Sequence, residues 1–206
     1  MLSRKLVFVL AAMILLLMLA LPVYAAPEVG KPAPDFKATD IDGKEFSLSA
    51  LKGKKVVLEW TNHQCPFVVK HYGSGNMQAT QKAATDKGVV WVSIVSSGEG
   101  NQGYVSADEA RSIVEEQKAS PSVKILDPSG EIGHLYDART TPHMFVIDEE
   151  GKLVYAGAID NNSSPNPDTI EGATNYVLAA LDDLEAGRPV AVSNTQPYGC
   201  GVKYAH

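Results

Sequence analysis

The chain has 206 residues, of which 45% are hydrophobic and 20% charged, with a formal charge of −6 and two cysteines. An acidic balance with no basic stripe argues against nucleic acid as a partner. Two cysteines are too few for a disulfide scaffold, and a chain this long can build a full core without one.

Arg4 and Lys5 precede an unbroken apolar run from Leu6 to Leu21, then Pro22 and small residues at Val23 and Ala25. This is the pattern of a secretory signal peptide with cleavage after Ala25. The apolar run of 16 residues is shorter than the roughly 20 that span a bilayer; an uncleaved anchor is the alternative. No cysteine lies near the cleavage site, so a lipid anchor is not expected. Residues 1–25 hold two of the 18 basic residues and no acidic one, so residues 26–206 carry −8. Export, as to a bacterial periplasm, leaves no membrane partner after cleavage and places both cysteines in an oxidising compartment.

Next comes a stretch punctuated by Pro and Gly, with a short extended segment at Glu45–Ser47 and a single turn over "SLSALKGKK". "KVVLEWT" reads as a buried strand. A helix opens at Pro66, which suits a first helical turn, breaks at "YGSGN", and resumes from Met77 to about Asp86. "GVVWVSIVSS" is the next strand and "GEGNQGY" a loop; the latter lacks the spacing of a phosphate-binding loop. Ser106 and Glu109 form a capping box for a helix to about Lys118. "SVKIL" is a third strand, "PSGEIGHLYDA" carries a short helix, and "HMFVID" with "LVYAGAI" reads as an antiparallel hairpin. A second capping box, Asp168 with Glu171, predicts a last helix in which Ile170, Ala173, Val177, Ala180, Leu181 and Leu184 share a face, stopped by Gly187 and Pro189. The tail, 188–206, has no regular period. The order implies a mixed sheet with helices on both faces and right-handed parallel crossovers. Trp60 and Trp91 are assigned to its core.

Cys65 falls between the end of a strand and the start of a helix. Its residue type allows a nucleophile, half of a disulfide, a metal ligand or a buried small side chain. Ligands gather beyond the carboxyl ends of strands in such sheets. Amides at a helix N-terminus favour thiolate over thiol.

The element order, Trp60, "NHQCPFV" and "TTPHMFVID" resemble the thioredoxin superfamily, and within it the exported, peroxiredoxin-like members of the redoxin (alkyl hydroperoxide reductase and thiol-specific antioxidant) branch. The resemblance runs from about Gly30 to Gly187. It implies a three-layer α/β/α thioredoxin-like fold with a mixed central sheet over residues 26–187, and a tail, 188–206, carrying Cys200. It also implies that Cys65 is the first active-site cysteine, that Pro142 is the cis proline, and that Thr141 faces the thiol. There the backbone before the proline pairs with an extended partner peptide or shapes the pocket around the sulfur. Two departures stand out. Val68 occupies the place of the second cysteine of an adjacent pair, and Asn62 the place of the peroxiredoxin threonine, with Thr61 one residue further away.

The implied function is an exported thiol oxidoreductase. Cys65 attacks a disulfide or a peroxide, and Cys200 or an external thiol resolves the intermediate. Thr61 and Asn62 donate hydrogen bonds in the loop, and Thr141 and Pro142 form the opposite wall. Its partners are a thiol reductant, a disulfide-bearing protein or a small peroxide, with no cofactor. Cys200 could instead form a static staple with Cys65 or an intermolecular bond. Two other readings stand beside the enzyme: a binding protein with a permanent Cys65–Cys200 disulfide, and a copper or zinc site built on Cys65 with His143. Apart from any metal, His63 is expected to tune the charge around Cys65 or to sit solvated in its loop.

Overall fold

The computed structural model describes residues 26–205, so the expected signal segment lies outside the described residues. In chain order the elements are β1 (Lys37–Thr39), β2 (Glu45–Ser47), β3 (Val56–Trp60), α1 (Pro66–Gly73), α2 (Asn76–Thr85), β4 (Val90–Val95), α3 (Ala107–Glu116), β5 (Val123–Leu126), α4 (Glu131–Leu135), β6 (Thr140–Thr141), β7 (His143–Ile147), β8 (Leu153–Gly157), α5 (Tyr176–Glu185) and β9 (Cys200–Gly201). Single 3₁₀ turns lie at Leu48–Leu51 and Pro167–Thr169.

The central sheet has the order β5-β4-β3-β7-β8. β3 is parallel to β4 and antiparallel to β7, which places it at the centre with both edges paired. That position explains its unbroken burial: a strand covered on both faces reads as a continuous apolar run rather than an alternation. Val56, Leu58 and Trp60 point to a core shared with Ile94, Tyr136 of the segment after α4, and Phe145. Val57 points to the other, with Trp91, Met144, Tyr155, Val68 of α1 and Val177 of α5. Both tryptophans are fully buried. The fold is the mixed, three-layer α/β arrangement of the thioredoxin class.

The break between α1 and α2 falls at Ser74 and Gly75, as "YGSGN" predicts. In α3 the Ser106 hydroxyl accepts from Glu109 N–H while the Glu109 carboxylate accepts from Ser106 N–H, so the predicted capping box is formed. The second predicted box is not. Asn166 caps the short turn Pro167–Thr169 by accepting from Asp168 N–H at 3.0 Å. Gly172 then takes φ +78, outside any helix. Helix α5 starts only at Tyr176, capped by Asn175, whose side chain accepts from Leu178 N–H at 3.0 Å. Ile170 and Ala173 therefore lie outside the helix. A glycine in the left-handed region separates two competing cap signals, and the later one starts the helix.

The tail is ordered by the domain it crosses. It pairs beside β8 through Ala156 N–H to Ser193 O (3.1 Å) and Thr195 N–H to Ala156 O (3.1 Å). It continues past Tyr198, adds β9 to the edge of β6, and ends with Tyr204 stacked on His134 at 4.0 Å.

Candidate active site

Cys65 is the N-cap of α1, with Pro66 at the first helical position. Its carbonyl accepts from the N–H of Val68 (2.9 Å) and Val69 (2.8 Å), and its own N–H reaches Asn62 O at 3.0 Å. The residue is 0% exposed, and its thiol donates to Thr141 O at 3.0 Å. The Thr141–Pro142 peptide is cis. Two motifs nearly eighty residues apart thus close on one sulfur. Burial pushes the Cys65 thiol up. Contacts with the Cys200 side chain, the Thr141 hydroxyl and the amides of Cys200 and Val68 outweigh that and hold it below the ordinary thiol range.

Cys200 lies in β9, directly opposite Thr141. It is half-buried and, like Cys65, a free thiol. Burial, then the Cys65 sulfur, pushes its pKa up to about 11. The negative charge of the pair therefore belongs on Cys65 and the proton on Cys200. Gly199 makes the approach feasible: it has φ +137, and a Cβ there would stand 2.0 Å from Thr141 O. Thr141 also holds a buried hydroxyl with no hydrogen-bond partner. An unpaired hydroxyl costs about 1–3 kcal/mol in such a place, and a thiolate on Cys65 would give it an acceptor.

Two polar networks flank the cysteines, and neither was singled out in the sequence. Glu59, fully buried in mid-β3, accepts from the Tyr72 hydroxyl, Trp91 Nε1 and Ser93 hydroxyl, each at 2.8 Å. An acid inside a buried strand was the available signal. The second network ties α1 to the tail. The Tyr198 hydroxyl donates to Asp160 at 2.5 Å and lies 3.2 Å from His71 Nε2. Asn76 donates to His71 Nδ1 at 2.8 Å, which leaves the ring proton on Nε2, facing Tyr198. Lys70 lies 3.7 Å from Asp160 and donates to Asn162 O at 2.9 Å. Burial holds His71 down at about 4, so its ring is neutral.

The remaining predicted residues are placed as follows. Thr61 and Asn62 are 4% and 2% exposed. Asn62 accepts from Gln64 N–H at 2.9 Å and donates to Gln102 O at 3.3 Å, so its amide shapes the loop rather than facing the thiol. His63 is half-buried, and burial, then the Lys124 charge, hold its imidazole below the usual range. His143 is buried, with Nδ1 accepting from Arg139 N–H at 3.3 Å. Among the described residues no cluster of three His, Cys, Asp or Glu side chains is arranged to hold a metal ion. Arg139 pairs with Asp137 at 2.9 Å on the surface.

Residues 28–173 match the Redoxin family. The chain belongs to that family. Among curated proteins, this Redoxin chain is 29% identical over 130 residues to the thiol-disulfide oxidoreductase ResA of Bacillus thuringiensis, covering 62% of this chain and 68% of the relative. It is 28% identical over 171 residues to ResA of Bacillus subtilis, covering 74% and 84%. Among solved structures, an uncharacterized conserved protein from Geobacillus kaustophilus is 29% identical with a TM-score of 0.72, covering 86% of this chain and 93% of that one. A hypothetical protein from Sinorhizobium meliloti shares the fold at a TM-score of 0.73 and 24% identity, covering 88% and 97%.

Proposed function

We propose that this Redoxin chain is an exported thiol-disulfide oxidoreductase whose redox pair is Cys65 and Cys200. The observation that carries the proposal is the tail, which lays Cys200 against the cis-proline turn beside a thiol whose pKa is already lowered. The names of the ResA relatives point the same way. The pair alternates between dithiol and disulfide, passing two electrons and two protons to a partner disulfide that leaves as two thiols. Thr141 and Pro142 form the wall around the sulfurs, while Thr61 and Asn62 hold the turn that presents Cys65. Residues 1–25 direct export, 26–187 form the redoxin domain, and 188–206 form the arm that supplies the second cysteine.

A second oxidant is favoured by one observation: a sulfur with no exposed surface suits a small molecule better than a protein disulfide. A peroxide attacked by the Cys65 thiolate releases water or an alcohol and leaves a sulfenic acid. Cys200 condenses with it, releasing water and forming the disulfide.

Oxidation of the purified chain with a disulfide compound or with hydrogen peroxide, followed by digestion and mass spectrometry, tests this. The expected product is a peptide pair bridged between Cys65 and Cys200 that dithiothreitol reverses, and Cys65→Ser abolishes turnover. A bridge that resists mild reduction, with turnover unchanged in Cys65→Ser, would leave a static staple in a binding protein.

A further inference from the structure

We infer that Cys200, not Cys65, is the sulfur through which the disulfide form meets its reductant, and that an incoming thiolate attacks Cys200 and expels Cys65. The inference rests on the redox pair proposed above and assigns its partner-facing atom.

Thiolate attack on a disulfide runs in line with the bond being broken, so each sulfur is open only from the side opposite its partner. Cys65 is 0% exposed and its far side is the second core, where Val68 is also 0% exposed. Cys200 is half-buried, on the two-residue strand that pairs with buried Thr141. Along the line of the bridge, an attacking thiolate therefore has a path to Cys200 from solvent and none to Cys65.

Lifting the tail would open Cys65, but the tail is fastened on both sides of Cys200. Upstream, the Thr195 hydroxyl lies 2.6 Å from the Tyr155 hydroxyl and accepts from Ala158 N–H at 2.9 Å, and Tyr198 holds Asp160. Downstream, Val202 N–H donates to Arg139 O (3.1 Å), Gly98 N–H to Lys203 O (2.7 Å) and the Tyr204 hydroxyl to Ala138 O (2.6 Å). The edge of β6 is already filled by β9, so a reductant cannot add its own strand at Thr140–Thr141. That selects a small thiol, or a protein thiol carried on a protruding loop, over an extended peptide.

The leaving group fits this direction of attack. The bond between the two sulfurs breaks with its electron pair on Cys65, which is held below the ordinary thiol range, and a lower-pKa thiol leaves faster. The new bond joins the reductant to Cys200. A second thiol of the reductant then attacks the reductant's own sulfur and releases Cys200, which takes up a proton. The reductant ends as a disulfide and the pair as a dithiol.

The test uses the full wild-type chain in its disulfide form. Glutathione is added and samples are quenched in acid through the half-time of reduction, alkylated and digested. The expected adduct is glutathione on Cys200 with alkylated Cys65, in at least about tenfold excess over the reverse, following the access and leaving-group terms. Glutathione on Cys65, or reduction with no adduct on Cys200 at any time, overturns the inference and leaves the redox pair standing. Failure of any Cys65–Cys200 disulfide to form overturns the pair itself.

Discussion

Tyr198 is the residue on which the tail turns toward Cys65. Its hydroxyl joins Asp160, 38 residues before it, and His71, 127 residues before it. Tyr198→Phe removes that hydroxyl and leaves two buried polar groups short of a partner. The expected loss is about 1–3 kcal/mol, read from urea unfolding, together with slower closure of the Cys65–Cys200 bond. Gly199→Ala adds a Cβ 2.0 Å from Thr141 O at φ +137. Backbone strain of that kind costs about 1–3 kcal/mol, and displacing β9 should slow disulfide formation far more than it lowers Tm. An unchanged closure rate would mean that Gly199 does not govern the approach. Cys65 and Pro142 could be found in the sequence because each sits in a compact local motif at a strand or helix boundary. Tyr198 could not, because what gives it a role is His71 and Asp160, brought to it only by the fold. Glu59 shows the same limit: the acid is visible in "VVLEW", but its donors come from α1, α2 and β4.

At the scale of elements, the strands were the easiest to read, since β3, β4 and β7 are paired on both edges and spell continuous apolar runs. Helix starts were legible where a single cap signal stood alone, as at Ser106. The start of α5 was misread because Asp168 and Asn175 both offer caps, and only the left-handed Gly172 decides between them. The two-residue pairing of β9 with β6 has no periodicity to detect. It exists because backbone groups of the tail find partners on the domain. Removing the tail after Gly187 tests its shielding role. Compared with the full-length Cys200→Ser chain, the truncated chain should show an iodoacetamide rate at Cys65 at least about tenfold higher, because thiol reactivity follows exposure as well as thiolate content. Equal rates with and without the tail would show that something else covers the sulfur.

For the molecule as a whole, acid stability follows from its buried imidazoles. His71 and His143 are both held down at about 4 by burial, below the value of about 6.5 in an unfolded chain. Between those values the unfolded chain binds more protons than the native one, so stability rises with pH from about 4 to 6.5 and levels off above. Taking the chain from pH 7 to pH 5 should cost about 2 kcal/mol for each histidine. Urea unfolding at the two pH values measures this, and equal midpoints would contradict it. The sequence showed the thioredoxin-like architecture and the first cysteine; it did not show that the second cysteine arrives on a strap bonded from Ser193 to Tyr204.

That strap also sets an order of events. A ribosome adds roughly 5–20 residues per second, so Cys200 emerges on the order of ten seconds after Cys65. During that interval Cys65 has no internal mate, and the contacts with Thr141 and Cys200 that lower its pKa have not yet formed. Cover for Cys65 from its own chain is therefore complete only when the strap fastens.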